Sequence, residues 1–339
     1  MKRCGAAEFL ELAKEYPVFD ARTPAEFEDG HIPNAHNLPL FSNEERAEVG
    51  TLYKQKSRRE AILRGLDFVG PKMRDFIELV EEVSEPPGPV LVHCWRGGMR
   101  SSSLGWLLGT YGYDVVALDG GYKAYRNHVL DTFETKLPHM IVLGGLTGSG
   151  KTEVLHELAA LGEQIIDLEG LANHRGSSFG GIERQRVTQQ QFDNDLSRVI
   201  TELDPSRRVW VEDESLMVGR CRVPHPLFDQ KKEAPLVCLE VSDRDRLDRL
   251  VEEYGEHADE ALVEAFERIK KRLGGERYRR ALEAIEAGDF RTAGCEALRY
   301  YDKAYGYGLE ERDGPIIARL TYDVRPSSAE IARHCIEQV

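Results

Sequence analysis

Short apolar runs of strand length alternate with stretches of helical spacing, and the alternation starts twice along the chain. In the first series residues 17–20 read as a strand and residues 24–29 as a helical turn with Thr23 as its N-cap, and residues 30–39 form an irregular loop. Helical spacing predicts helices over 43–56 and 67–83, the second closed by the cluster Pro86, Pro87 and Pro89. The apolar run 90–93 suits a buried parallel strand. It is followed by a polar loop over 94–100, an apolar helix over 101–111, and a last strand over 115–118 that ends before Gly120 and Gly121.

The second series begins at Met140. Residues 141–143 predict a strand, 144–150 a glycine-rich turn and 151–161 a helix. Further strands are expected over 164–168, 208–212 and 235–241, with a helix over 183–203 between the first two. The stretch 243–304 is helix-rich and strongly charged. Residues 316–322 suit a strand, and Ser327 with Glu330 forms a capping box that opens a last helix. Two runs of alternating strand and helix imply two parallel sheets with helices packed on them, divided near Pro138 into domains 1–137 and 138–339.

Composition narrows the classes. Of 339 residues, 41% are apolar and 31% charged, which excludes collagen-like, coiled-coil and wholly disordered chains. No run approaches the roughly 18 apolar residues that span a membrane, and residues 1–14 lack the apolar core of a secretory leader, so the expected place is the cytoplasm. The net charge of −14 argues against generic polyanion binding, though not against a local basic patch. Six cysteines without a C-x-x-C pair support neither a disulfide framework nor a zinc site. Five of them read as small buried hydrophobes; Cys94 does not.

Gly145-Leu146-Thr147-Gly148-Ser149-Gly150-Lys151-Thr152 satisfies G-x-x-x-x-G-K-[ST] directly after a strand and at the start of a helix. Glycines let backbone amides turn inward around phosphate oxygens, Lys151 neutralises charge and Thr152 can hold Mg²⁺. The candidate phosphate ligands are Gly145, Gly148, Ser149, Gly150, Lys151 and Thr152, and Glu212 at the end of a later strand is the candidate acidic partner of the metal. The cradle reads phosphate, so any diphosphate ester fits it. Asn173-His174-Arg175-Gly176-Ser177-Ser178-Phe179-Gly180 stands where such folds put a substrate loop, with His174, Arg175, Ser177 and Ser178 as its polar side chains.

His93-Cys94-Trp95-Arg96-Gly97-Gly98-Met99-Arg100-Ser101 joins a buried strand to a helix N-terminus. The helix dipole, inward amides and Arg96 or Arg100 all favour thiolate over thiol. Two chemistries use such a thiolate: accepting a sulfur-family atom, or attacking a phosphoester to give a phosphocysteine.

Asp20-Ala21-Arg22, Glu26-Phe27 and Gly30-His31-Ile32-Pro33-Asn34-Ala35 resemble the N-terminal signature of rhodanese domains, with Cys94 at the active-site position. The C-x5-R loop is similar to that of rhodanese-like phosphatases, so phosphatase chemistry is a rival for this domain taken alone. With the P-loop, the Asn173–Gly180 segment and Tyr300-Tyr301-Asp302 in the same order, the whole chain resembles the bacterial tRNA 2-selenouridine synthases. That resemblance implies an α/β fold: a rhodanese-like domain, then a P-loop NTPase-like parallel-sheet domain with a helical C-terminal region. It implies exchange of sulfur for selenium at C2 of the wobble 2-thiouridine in tRNAs for Lys, Glu and Gln. Geranyl diphosphate would alkylate the sulfur first, and selenophosphate, from an enzyme that produces it, would supply selenium by way of an S-selanylcysteine at Cys94. Both would be co-substrates; no tightly bound cofactor is expected, and Mg²⁺ is an option. The rival readings are a cysteine phosphatase or kinase fused to an NTPase, and a noncatalytic nucleotide-sensing module.

A tRNA needs cations to meet its phosphates. Lys270, Lys271, Arg272, Arg277, Arg279 and Arg280, with Arg268, are the densest basic cluster and the expected landing surface, with Lys54, Lys56, Arg58, Arg59 and Arg64 as a second. Residues 1–137 carry a net charge of −4 and 138–339 one of −10, so the densest basic cluster lies in the more acidic half.

Overall fold

A computed structural model describes residues 1–175, 185–254 and 259–339. Two compact units make up the chain: Met1–Thr132 with Asp193–Arg198, and Phe133–Phe192 with Val199–Val339.

The first unit is built on a parallel five-stranded sheet. Its strands are β1 (Lys2–Cys4), β2 (Val18–Asp20), β3 (His36–Asn37), β4 (Pro89–His93) and β5 (Asp114–Leu118), in the order β1-β5-β4-β2-β3. Four of the five residues of β4 are buried, as a strand covered on both faces requires. Phe19, Val90, Val92, Leu104, Leu108, Val115 and Ala117 form the core between sheet and helices. Thr23 caps Pro24–Glu28 through a capping box with Glu26. The helix expected over 67–83 is longer and interrupted: Ser57 caps Arg58–Val69, a tight turn follows at Gly70–Lys72, and Met73–Glu81 resumes. Pro71, which lacks an amide proton, marks the break. Strand β1 and the helix Ala6–Leu12 gave no clear periodic signal, since β1 is three residues long and mostly exposed.

The second unit carries a second parallel sheet of β6 (Met140–Gly145), β7 (Gln164–Ile166), β8 (Val209–Glu212), β11 (Leu236–Val241) and β12 (Ile316–Tyr322), in the order β12-β11-β6-β8-β7. Between β8 and β11 in sequence lies an antiparallel pair, β9 (Met217–Val218) and β10 (Cys221–Arg222), too short for sequence periodicity to predict. β6 lies at the centre of the sheet with all six residues buried, so the loop that follows it emerges between flanking strands. The helix expected over 183–203 is described as Gln189–Glu202, capped by Thr188; residues 183 and 184 lie outside the described residues. The charged stretch resolves into Asp243–Tyr254, Asp259–Leu273, Gly275–Glu286 and Phe290–Glu310. The last three share a core of Leu262, Phe266, Ile269, Tyr278, Ile285 and Ala297. Among the described residues, no helix is long and apolar enough to cross a membrane.

Candidate active sites, one in each unit

In the first unit β4 delivers Cys94 to the carboxyl end of the sheet. The following helix begins at Met99, two residues earlier than expected, with Gly98 at its N-cap. Ser101 therefore lies in the first turn, and its Oγ is 3.2 Å from Cys94 Sγ. The loop is clamped from the next crossover: Tyr122 N–H donates to Cys94 O at 2.8 Å and Lys123 N–H to Trp95 O at 3.0 Å. Gly121, at φ +62°, allows this approach, because a Cβ there would overlap Cys94 O and Gly97 N. Arg3 of β1 adds a bond from Nη1 to Gly97 O at 2.9 Å.

The two arginines of the loop differ. Arg100 is held by Glu26, with Nη1 to Oε2 at 2.6 Å, and Glu26 also accepts from Thr23 N–H. The Glu26 carboxyl lies below its ordinary range: burial opposes this, and Arg100 and Thr23 outweigh it. Arg96 is exposed at the mouth of the loop. Thus one guanidinium is already neutralised and the other is open to an anion.

Beneath the thiol is a charged core. Asp20 and Arg22 are fully buried and joined by Nε and Nη2 hydrogen bonds of 2.9 and 2.6 Å to Oδ2. Arg22 also donates to Gly30 O at 2.7 Å and stacks its guanidinium 3.6 Å from the centre of the Tyr122 ring. His93 is fully buried, and among the described residues neither ring nitrogen has a hydrogen-bond partner; Nδ1 lies 3.6 Å from Asp20 Oδ1, yet burial outweighs that charge and lowers its pKa. The Asp-Ala-Arg signature therefore braces the loop's foundation, and among the described residues it makes no hydrogen bond to Cys94 Sγ.

In the second unit the P-loop joins β6 to the helix Lys151–Ala160. Gly148 and Gly150 have φ of +81° and +80°, and Lys151 Nζ donates to Gly145 O at 2.9 Å. Ser149 is buried, and among the described residues its hydroxyl has no hydrogen-bond partner. Thr152 turns its hydroxyl to Glu169 Oε2 at 2.7 Å rather than to Glu212. Glu212 ends a buried strand beneath the turn Leu168–Leu171, where its Oε2 accepts from Glu169 N–H at 3.2 Å and its Oε1 has no partner. Burial, then the charge of Glu214, pushes the Glu169 carboxyl up to about 8. Burial and Glu169 raise Glu212 well above the carboxylate range. Among the described residues, no three His, Cys, Asp or Glu side chains converge as a metal-binding group.

Three P-loop supports had little or no sequence signal. Arg246 is buried, donates from Nε to Thr147 O at 2.9 Å, and is paired with Asp302, Nη1 to Oδ2 at 3.1 Å. Tyr305 accepts from Gly145 N–H at 2.8 Å and donates to Asp213 Oδ2 at 3.1 Å. Arg249 and Arg325 flank Gly150, where a Cβ would come within 3.1 Å of Arg249 Cζ. Asp302 belongs to the Tyr300-Tyr301-Asp302 motif, and Asp213 follows Glu212 at the end of β8.

The P-loop opens into a cavity of about 1410 Å³. Lys151, Thr152 and Glu169 stand at the phosphate end, Met217 and Phe228 give it apolar surface, and Tyr300 and Tyr301 come from the Phe290–Glu310 helix. His174 and Arg175 line it; Ser177 and Ser178 lie outside the described residues.

The basic cluster divides. Arg272 lines the cavity and donates from Nη1 to Tyr300 OH at 3.3 Å. Arg280 and Arg277 turn to the buried Glu296, at 3.0 and 3.9 Å, and Arg299 joins them at 3.4 Å. Lys270 pairs with Glu267 at 2.9 Å, while Lys271 and Arg279 are exposed.

Comparison with known proteins matches both units. A family model described as a rhodanese-like domain covers residues 5–128, and one described as the tRNA 2-selenouridine synthase AAA domain covers 138–330. A tRNA 2-selenouridine synthase of Hydrogenovibrio crunogenus is 37% identical, over 89% of this chain and 91% of its own. That of Azotobacter vinelandii is 37% identical over 93% and 94%. A rhodanese-related protein structure from Thermoplasma volcanium aligns with 38% of this chain and 93% of its own at 21% identity and a TM-score of 0.24. With a cysteine loop on the first sheet, a P-loop on the second and this likeness along nearly the whole chain, the protein belongs to the tRNA 2-selenouridine synthase family.

Proposed function

We propose that the chain replaces sulfur by selenium at C2 of the wobble 2-thiouridine of tRNAs for Lys, Glu and Gln, in the cytoplasm, and that its two sites divide the work. The observation that carries this reading is the cavity: a phosphate cradle at one end and apolar and aromatic walls in the same space suit a diphosphate ester with a hydrocarbon tail. Geranyl diphosphate is that substrate. The thiocarbonyl sulfur attacks C1, the C1–O bond breaks, diphosphate leaves with the bonding electrons, and the N3 proton passes to solvent. P-loop amides and Lys151 stabilise the charge gathering on the leaving group. The buried Ser149 hydroxyl is a further donor for it. Mg²⁺ fits Thr152 and Glu169, with the orphaned Glu212 Oε1 behind them, and would take its other ligands from phosphate and water. When bound, it supplies charge neutralisation.

Selenium then replaces the geranylthio group at C2, which leaves as geranylthiol. Selenophosphate meets Cys94 in the first unit, where the exposed Arg96 and the helix N-terminus at Gly98 favour a tetrahedral anion. Attack of the Cys94 thiolate on phosphorus breaks the P–Se bond and gives phosphocysteine, which water returns to thiol and phosphate, and hydroselenide, which adds at C2 and expels geranylthiolate; an S-selanylcysteine adduct requires attack on selenium with the P–Se electron pair leaving on phosphorus as phosphite, and mass spectrometry of trapped protein distinguishes the two. The division itself is tested with thiolated tRNA. Cys94→Ala should abolish selenation and leave geranylation, and Lys151→Met should weaken geranylation first. Loss of geranylation alone in Cys94→Ala refutes the assignment.

A further inference from the structure

The Tyr300-Tyr301-Asp302 motif has one member explained by the P-loop and two that are not. Asp302 holds Arg246, which holds Thr147 O, and one turn further on Tyr305 holds Gly145 N–H. The Phe290–Glu310 helix is thereby fixed to the phosphate loop at two points. Tyr300 and Tyr301 precede those anchors on the same helix and line the same cavity, half-exposed, with ring centres 5.0 Å apart and planes tilted by 59°. Arg272, from the helix Asp259–Leu273, reaches the Tyr300 hydroxyl, and Arg268 lines the cavity beside it.

We propose that Tyr300, with Arg272 and Arg268, is the platform on which the single-stranded anticodon segment enters the P-loop cavity, the target base stacking on the tyrosine and neighbouring phosphates meeting the arginines. The proposal rests on the tRNA reading above and says where the RNA goes. Three observations carry it. The cavity, at about 1410 Å³, exceeds the roughly 300–1,000 Å³ that one drug-sized ligand occupies, leaving room for a base beside a diphosphate ester. Lys and Arg outnumber Asp and Glu among its lining residues, although the chain as a whole carries −14. Aromatic rings next to arginines are the usual means of holding unstacked RNA bases. By contrast, Arg280, in the same basic stretch of sequence, is hydrogen-bonded to the buried Glu296 at 3.0 Å, with Arg277 3.9 Å from the same carboxylate.

The test is fluorescence anisotropy of the full chain with an anticodon stem-loop RNA carrying a wobble uridine, over a range of salt. Tyr300→Leu should weaken binding by roughly 5- to 150-fold, as expected for one lost base stack of ~1–3 kcal/mol. Tyr300→Phe keeps the ring and should bind within about threefold of the parent, which separates stacking from folding. Arg272→Gln should lower affinity and flatten the salt dependence by about 0.7 for one phosphate contact. Arg277→Gln should leave both unchanged, and none of the four should alter the affinity for inorganic diphosphate. If the parent binds the RNA and Tyr300→Leu binds it equally well, or loses diphosphate affinity instead, the platform is refuted while the tRNA reading stands. Failure of the parent to bind the RNA overturns both.

Discussion

Gly121→Ala is the sharpest test of how the cysteine loop is held. Gly121 has φ +62°, a region that costs an L-residue roughly 1–2 kcal/mol. The added methyl would overlap two backbone atoms, Cys94 O and Gly97 N, and come within 2.9 Å of Arg96 C, so no side-chain rotation relieves it. The loop must retreat from the helix Gly121–Thr132, which removes the bonds Tyr122 N–H to Cys94 O and Lys123 N–H to Trp95 O, each worth about 0.5–1.5 kcal/mol. Together these give a loss of about 2–5 kcal/mol, confined to the loop if it moves and felt by the first unit if it does not. Two assays are needed: denaturant unfolding, and the rates of the two proposed activities, selenation and geranylation, side by side. The expected result is selenation at least tenfold slower, with geranylation and inorganic diphosphate affinity unchanged. A variant with parental stability and selenation would refute the claim that this glycine sets the loop.

Other consequences are equally concrete. Glu169, raised from 4.5 to about 8, holds a proton in the folded state that the unfolded chain releases near 4.5. Its contribution to stability should therefore fall as pH rises from about 4.5 to 8 and level off above, and Glu169→Gln should reduce the slope in pH-dependent melts, the raised Glu212 and Glu214 carboxyls supplying what remains. Arg22→Met leaves Asp20 buried without its partner and should cost about 3–5 kcal/mol in denaturant unfolding, whereas Lys14→Met at the exposed pair with Glu11 should cost under about 1 kcal/mol. Asp302→Asn loosens Arg246 from Thr147 and should weaken inorganic diphosphate binding several-fold in calorimetry, without affecting Cys94 alkylation. Unchanged diphosphate affinity in that variant would show that the P-loop holds its shape without the second tie.

Much was legible in the sequence because it was local. Two αβ series, the strand-loop-helix context of Gly145–Thr152, the position of Cys94 after a buried strand, the N-cap at Thr23 and the capping box at Ser327 depend on neighbours within a few residues. Hydrophobic periodicity and turn chemistry report such neighbours directly. Short elements escaped: β1 and the β9–β10 pair are two or three residues long, and two or three positions cannot establish a period.

What only the tertiary structure decided was the choice among chemically equivalent side chains. Glu212 stood at the expected strand end, yet Glu169, from a different crossover, faces Thr152. Arg96 and Arg100 looked alike until Glu26, far earlier in the chain, neutralised one of them. The basic run 268–280 reads as one surface, but Glu296 takes a hydrogen bond from Arg280 while Arg272 lines the cavity. Sequence specifies which charges exist and how often they recur. Which of them are spent on each other is set by distances between segments remote in the chain, because charge pairing acts over a few ångströms and only folding brings such groups that close.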